Sequence, residues 1–142
     1  GARVLDLFAG TGALGFEAIS RGAAYCLFVD DGAQARALLR ENVAALGLAG
    51  VTRIFRRDAT KLGPVHPVAP FSLALLDPPY RKGLAEQALA AARDGGWLTD
   101  DALIVVEEAI DAGFTAPTGF EELERRAYDD TMFVILRRSS PV

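Results

Sequence analysis

An apolar run that ends in a glycine loop and passes straight into a helical period, RVLDLFAGTGALGFEAISRG at residues 3–22, constrains this chain more than any other feature. Such a segment folds as strand, tight turn and helix, because glycine at the junction supplies positive φ and lets the backbone approach a neighbour closely. The alternation recurs along all 142 residues. YCLFVD (25–30) reads as a second strand. AQARALLRENVAALG (33–47) reads as a helix with Leu38, Leu39, Val43 and Leu46 on one apolar face and a stop at Gly47. VTRIFRRDA (51–59) is a third strand, followed by a proline-rich loop, GPVHPVAP (63–70), that cannot be helix interior. Strand FSLALLD (71–77), helix GLAEQALAAARDGG (83–96) and strand ALIVVEE (102–108) complete the series. Repeated βαβ units of this kind predict an α/β fold, a doubly wound and mainly parallel Rossmann-like sheet with helices on both faces.

The last third breaks the pattern. FEELERRAYDDTMFVILRR (120–138) holds two extended runs around YDDT, with Met132, Val134 and Leu136 on one face and Phe133 and Ile135 on the other. Two adjacent strands joined by a tight turn run antiparallel, so the sheet is expected to end in a C-terminal hairpin.

The length suits a single domain over residues 1–142, and an apolar fraction of 51% is enough for a continuous core. No apolar run approaches the roughly 20 residues of a membrane span, so a soluble, cytoplasmic protein is expected. The single Cys26 lies in the run YCLFV and has no Cys or His at metal-ligand spacing, which predicts a buried core thiol and no metal site. His66, in the proline loop, reads as a solvated residue. A formal charge of −4 gives no general footprint for nucleic acid, although a local patch can act without one. The chain starts two residues before its first strand, which reads as a catalytic core lacking its N-terminal segment.

Gly10, Gly12 and Gly15 stand at G-x-G-x-x-G spacing, and Asp30 follows twenty residues after Gly10. This is the nicotinamide dinucleotide fingerprint, in which a helix N-terminus faces a pyrophosphate. The same loop can lie against the ribose and amino-acid portion of S-adenosylmethionine, with Asp6 directed toward the amino-acid end. Asp30, at a strand end, is placed to accept hydrogen bonds from ribose hydroxyls; Asp31 is an alternative ligand or a helix cap. Asp58 and Ala59, after the third strand, stand where an adenine amine and ring would be met, although a lone Asp there is also a common cap.

Asp77-Pro78-Pro79-Tyr80 follows the fourth strand. Successive prolines fix φ and remove two donors, which leaves a stiff segment whose carbonyls point outward. An exocyclic amine on a base is a poor nucleophile because its lone pair is delocalised. If the Asp77 carboxylate and the Pro78 carbonyl each accept one of its N–H hydrogens, the nitrogen rehybridises and its lone pair becomes available. Tyr80 offers an aromatic face for a flipped base. Such a tetrapeptide has no part in hydride transfer.

The D-x-F-x-G-x-G loop, the DPPY segment and the terminal hairpin together resemble the class I S-adenosylmethionine-dependent methyltransferases that act on amines. Within that class VLDLFAGTGALGFEAISRGA, LLRENVAALGL, DPPYRKGLAEQAL, GWLTDDALIVVEE and RRAYDDTMFVILRR resemble the RsmD-type 16S ribosomal RNA guanine-N2 methyltransferase family over nearly the whole chain. The resemblance implies a target-amine site at Asp77, Pro78, Pro79 and Tyr80. It implies an S-adenosylmethionine site at Asp6, Phe8, Gly10, Gly12, Asp30, Asp58 and Ala59. It also implies a monomer whose partner is ribosomal RNA, in the small subunit or its assembly intermediate. Two departures stand out: Gly32 occupies the place where the family carries an acidic residue, and the family's basic N-terminal segment precedes nothing here. Arg81 and Lys82 remain as candidates for phosphate contact, or as a solvated helix-start pair. Competing readings are transfer to adenine N6 or to a protein glutamine, a nicotinamide oxidoreductase, and a non-catalytic ligand-binding domain on the same scaffold.

Overall fold

A computed structural model describes residues 1–139. Seven strands form one sheet: β1 (Arg3–Leu7), β2 (Tyr25–Val29), β3 (Thr52–Phe55), β4 (Phe71–Leu76), β5 (Leu98–Ala109), β6 (Phe120–Tyr128) and β7 (Thr131–Arg138). Their order is β3-β2-β1-β4-β5-β7-β6. The first five are parallel, and β7 joins β5 antiparallel with β6 outside it. The chain order reverses beside β1, so the crevice between the carboxyl ends of β1, β2 and β4 is where a doubly wound sheet takes its ligand.

Three helices, α1 (Ala13–Ser20), α2 (Ala33–Leu46) and α3 (Leu84–Asp94), follow β1, β2 and β4 as the periodicity predicts. Strand alternation sends Val4, Cys26, Phe28 and Leu75 to the face under α1 and α2, and Leu5, Leu7, Leu27, Ile104 and Val106 to the face under α3. The α3 stripe of Ala85, Ala88, Leu89 and Ala92 is fully enclosed there, together with Trp97. Cutting Leu89 to Ala would cost about 2–5 kcal/mol through lost burial and the cavity left behind. Cys26 is buried, and burial drives its thiol well above the ordinary value, while His66 is exposed. Both readings from the sequence hold.

Several boundaries differ from the sequence reading. On α2 only Leu39 and Val43 are buried, whereas Leu38 is 44% and Leu46 58% exposed. Leu38 lies one helical step of about 100° from Leu39, and Leu46 ends the helix above the edge strand β3. The third strand stops at Phe55 instead of reaching Ala59, because Asp58 caps a 3₁₀ turn over Ala59–Lys61. Strand β5 begins at Leu98, four residues early, and absorbs LTDD through an irregularity in its register with β4. Beyond α1, the face formed by β5 and β7 carries no helix among the described residues, and Leu103 and Phe133 stay partly exposed there. The hairpin turns at Asp129–Asp130 as expected, with Met132, Val134 and Leu136 buried.

Candidate active site

The glycine loop is held by two carboxylates. Asp30, at the end of β2, accepts the Gly10 N–H at 2.9 Å through Oδ2 and the Gly32 N–H at 2.8 Å through Oδ1. Both Gly10 and Gly12 have positive φ, +58° and +84°, and so does Phe8 at +60°. A Cβ on Gly10 would meet only the Phe8 carbonyl oxygen, at 4.0 Å, which leaves that backbone free for a ligand to approach. At Gly12 a Cβ would stand 2.6 Å from Leu39 Cδ2 and from Phe16 Cε2, so the missing side chain also serves the seating of α1. Asp6, only 1% exposed, accepts the Gly15 N–H at 3.1 Å through Oδ2. Burial, opposed by that bond and reinforced by Asp77 and Asp30, pushes its carboxyl up to about 8.

A cleft of about 260 Å³ opens at the strand ends between Phe8, Asp30, Asp31, Asp58, Ala59 and Pro79. Val29, Arg57, Thr60 and Leu84 complete its wall. Asp31 lines it beside Asp30 and does not cap α2, whose N-cap position belongs to Gly32 without a side-chain bond. Asp58 is a cap, its Oδ1 accepting from the Thr60 hydroxyl at 2.7 Å and the Thr60 N–H at 2.8 Å, and it also lines the cleft. Those bonds hold its carboxyl below the usual range. Arg57, Thr60 and Leu84 were not singled out by sequence. Leu84 opens the helix after DPPY, and its distance from the glycine loop in sequence hides its part in the same wall.

The second half of the site is the Asp77–Tyr80 loop. Pro78 is buried, Pro79 is exposed on the cleft wall, and Asp77 is exposed at the tip of β4. Two glutamates of β5 fix this loop, and neither was picked out beforehand. Glu107 Oε2 accepts the Tyr80 hydroxyl at 2.9 Å, with Thr131 Oγ1 3.3 Å from the same hydroxyl. Glu108, 1% exposed, accepts the backbone N–H of Arg81 at 3.0 Å and that of Ala109 at 2.7 Å. Charge-assisted bonds of this kind are the stronger class, and they lock Arg81 at φ +64°. The Arg81 side chain pairs with Asp111 at 2.8 Å on the surface. Burial, followed by the adjacent Glu107 and then Glu108, pushes Asp77 up to about 7.

The donor set suits one kind of ligand. Asp30 and Asp31 can take the two hydroxyls of a ribose, and apolar Phe8, Val29 and Leu84 can enclose a flat base beside Asp58. Asp30 and Asp31 give the cleft a negative wall, which favours a cationic sulfonium and ammonium and opposes a pyrophosphate. Among the described residues no group of three or more His, Cys, Asp or Glu is arranged to hold a metal ion.

The sheet order with its terminal hairpin, and the cleft at its strand ends, define the class I methyltransferase fold. Within that class the chain belongs to the RsmD family: the family model described as "Conserved hypothetical protein 95" matches residues 1–137. It is similar to "Ribosomal RNA small subunit methyltransferase D" of Escherichia coli K12, 38% identical over 120 residues that cover 84% of this chain and 60% of that protein. The protein of the same name from Haemophilus influenzae is 34% identical over 126 residues, covering 86% and 64%. The chain therefore spans less than two thirds of the length of these relatives. The solved structure of Escherichia coli yhhF matches with a TM-score of 0.86 at 32% identity, covering 99% of this chain and 78% of that one. Thermus thermophilus TrmN shares the fold, with a TM-score of 0.79 at 24% identity over 97% of this chain and 44% of its own.

Proposed function

We propose that this domain transfers a methyl group from S-adenosylmethionine to the exocyclic N2 amine of a guanine in 16S ribosomal RNA, acting in the cytoplasm on the small subunit or its precursor. The observation that carries the reading is the meeting of two halves at one set of strand ends: a ribose-competent carboxylate cleft, and a proline-stiffened acceptor loop whose Pro79 forms part of the cleft wall. The names of the relatives supply the RNA. When bound, S-adenosylmethionine supplies an electrophilic methyl on a sulfonium.

The residues of this chain do the rest. Asp30 holds the ribose and Asp58 the adenine amine, with Phe8 and Leu84 against the ring. Asp77 and the Pro78 carbonyl accept the two N–H hydrogens of the target amine, which turns its lone pair out of conjugation. The Tyr80 ring, tethered at its hydroxyl, gives the base a face on which to stack, worth about 1–3 kcal/mol. Asp77, with a carboxyl pushed up to about 7, also offers an acceptor for the proton that N-methylation releases. Full-length protein incubated with labelled S-adenosylmethionine and small-subunit RNA from cells lacking the enzyme tests this. The label should appear in N2-methylguanosine; label confined to N6-methyladenosine or to protein would refute the base assignment.

A further inference from the structure

Asp77 is accompanied. Strands β4 and β5 run in parallel register, Leu75 beside Val105 and Leu76 beside Val106, so the next step along both strands sets Asp77 beside Glu107. Tyr80 donates to Oε2 of Glu107 at 2.9 Å, and the Asp77 carboxyl lies within hydrogen-bonding reach of the same side chain. None of the ion pairs among the described residues involves either carboxylate. The amine site therefore presents a second acid, half-buried and held in place, immediately next to the first.

An acceptor beside an acceptor is a selective surface. In adenine and cytosine the ring nitrogen next to the exocyclic amine is itself an acceptor, which a carboxylate repels. In guanine that ring position is N1–H, a donor. Of the bases carrying an amine, guanine alone places two donors side by side on its Watson–Crick edge. We propose that Glu107 is the base-specifying residue of this site: its carboxylate accepts guanine N1–H while Asp77 accepts from the N2 amine. This rests on the guanine reading above and adds to it the reason why guanine is taken.

A glutamine amide at position 107 keeps the size and adds a donor, which can pair with a ring nitrogen that lacks hydrogen. 2-Aminopurine keeps the N2 amine of guanine but carries an acceptor at N1. The test uses full-length protein and a synthetic small-subunit RNA fragment that carries guanosine, or 2-aminopurine riboside, at the nucleotide the wild-type enzyme methylates. For wild type, kcat/KM on guanosine should exceed that on 2-aminopurine by about tenfold or more, since an unpaired acceptor facing an acceptor is penalised. In Glu107→Gln the ratio should fall to about one or invert. Thr131→Val, which loosens Tyr80 without touching the acceptor, should lower both rates together and leave the ratio as in wild type.

Equal rates on the two bases for wild type would overturn the inference without any variant. So would a Glu107→Gln enzyme whose losses on the two bases are equal, including loss beyond detection on both, since that marks a structural role alone. A wild-type enzyme that methylates the fragment at a base other than guanine would instead overturn the functional reading, and this inference with it.

Discussion

Asp30 Oδ2 accepts the Gly10 N–H at 2.9 Å, so the residue that ends β2 fixes the loop that follows β1. The same carboxylate is the one proposed to hold the ribose. Asp30→Ala should therefore act twice. It should weaken S-adenosylhomocysteine by about ten- to a hundredfold, the equivalent of a lost charged hydrogen-bond partner at roughly 1.5–3 kcal/mol. It should also lower the melting temperature, because the Gly10 and Gly32 N–H groups lose their acceptor. Calorimetry on wild type and variant checks the first, with NADH as the contrasting ligand that should not bind; thermal melting checks the second.

Asp77 stands on the other side of the division of labour. Asp77→Ala should abolish transfer and leave the dissociation constant of S-adenosylhomocysteine within about twofold of wild type, because the carboxylate addresses the amine and not the cofactor. Single-turnover transfer and calorimetry on the same preparation separate the two effects.

The raised pKa of Asp77 predicts two pH trends. An acceptor must be ionised, so kcat/KM should rise with pH and level off above about 7. For stability the sign is opposite. A carboxyl whose folded pKa stands at about 7 against an ordinary 3.8 holds its proton more tightly when folded. Stability is thus fully present below the ordinary value and declines as pH climbs to about 7. Asp77→Asn should accordingly be more stable than wild type at pH 8 by about 1–2 kcal/mol, the shift being discounted for solvent exposure, and should lose that advantage near pH 4. Denaturant titrations at the two pH values read the difference.

Tyr80→Phe keeps the ring and removes the tether to Glu107 and Thr131. Losing this hydrogen bond should lower kcat by about three- to tenfold, in line with a net worth of roughly 0.5–1.5 kcal/mol. Tyr80→Ala also removes the stacking face and should fall further. Steady-state kinetics on small-subunit RNA distinguishes the two.

Gly12→Ala should be poorly tolerated. The residue sits at φ +84°, and a Cβ would meet Leu39 and Phe16 at 2.6 Å. Positive φ and overpacking together should cost about 2–4 kcal/mol. Gly10→Ala, at φ +58° but with no neighbour closer than the Phe8 carbonyl oxygen at 4.0 Å, should cost about 1 kcal/mol in stability and act chiefly on cofactor affinity. Melting curves of the two variants make the comparison.

The sequence showed the sheet and its terminal hairpin because both leave periodic signatures: period two in Met132, Val134 and Leu136, and alternating strand and helix runs upstream. It pointed to Asp30 and Asp77 as candidates because each is a carboxylate at a strand end, Asp30 just before a glycine-started helix and Asp77 followed by two prolines. It did not show that Asp6 and Gly12 turn inward, since a loop motif specifies residue types and not the side on which each one packs. Nor did it show Glu107 and Glu108. Their role comes from the register between β4 and β5, which sets residues thirty positions apart side by side and leaves no local trace. The early start of β5 has the same origin: LTDD is polar and unfavourable for a strand, and only the neighbouring strand draws it in.

The most direct measurement is mass spectrometry of nucleosides from small-subunit RNA of cells that lack the full-length protein, complemented with wild type or with Asp77→Ala. Loss of one N2-methylguanosine in the deletion, its return with wild type and its continued absence with Asp77→Ala are the expected results. An unchanged N2-methylguanosine content on deletion, or full restoration by Asp77→Ala, would contradict the assignment of this cleft and loop as a guanine-amine methylation site.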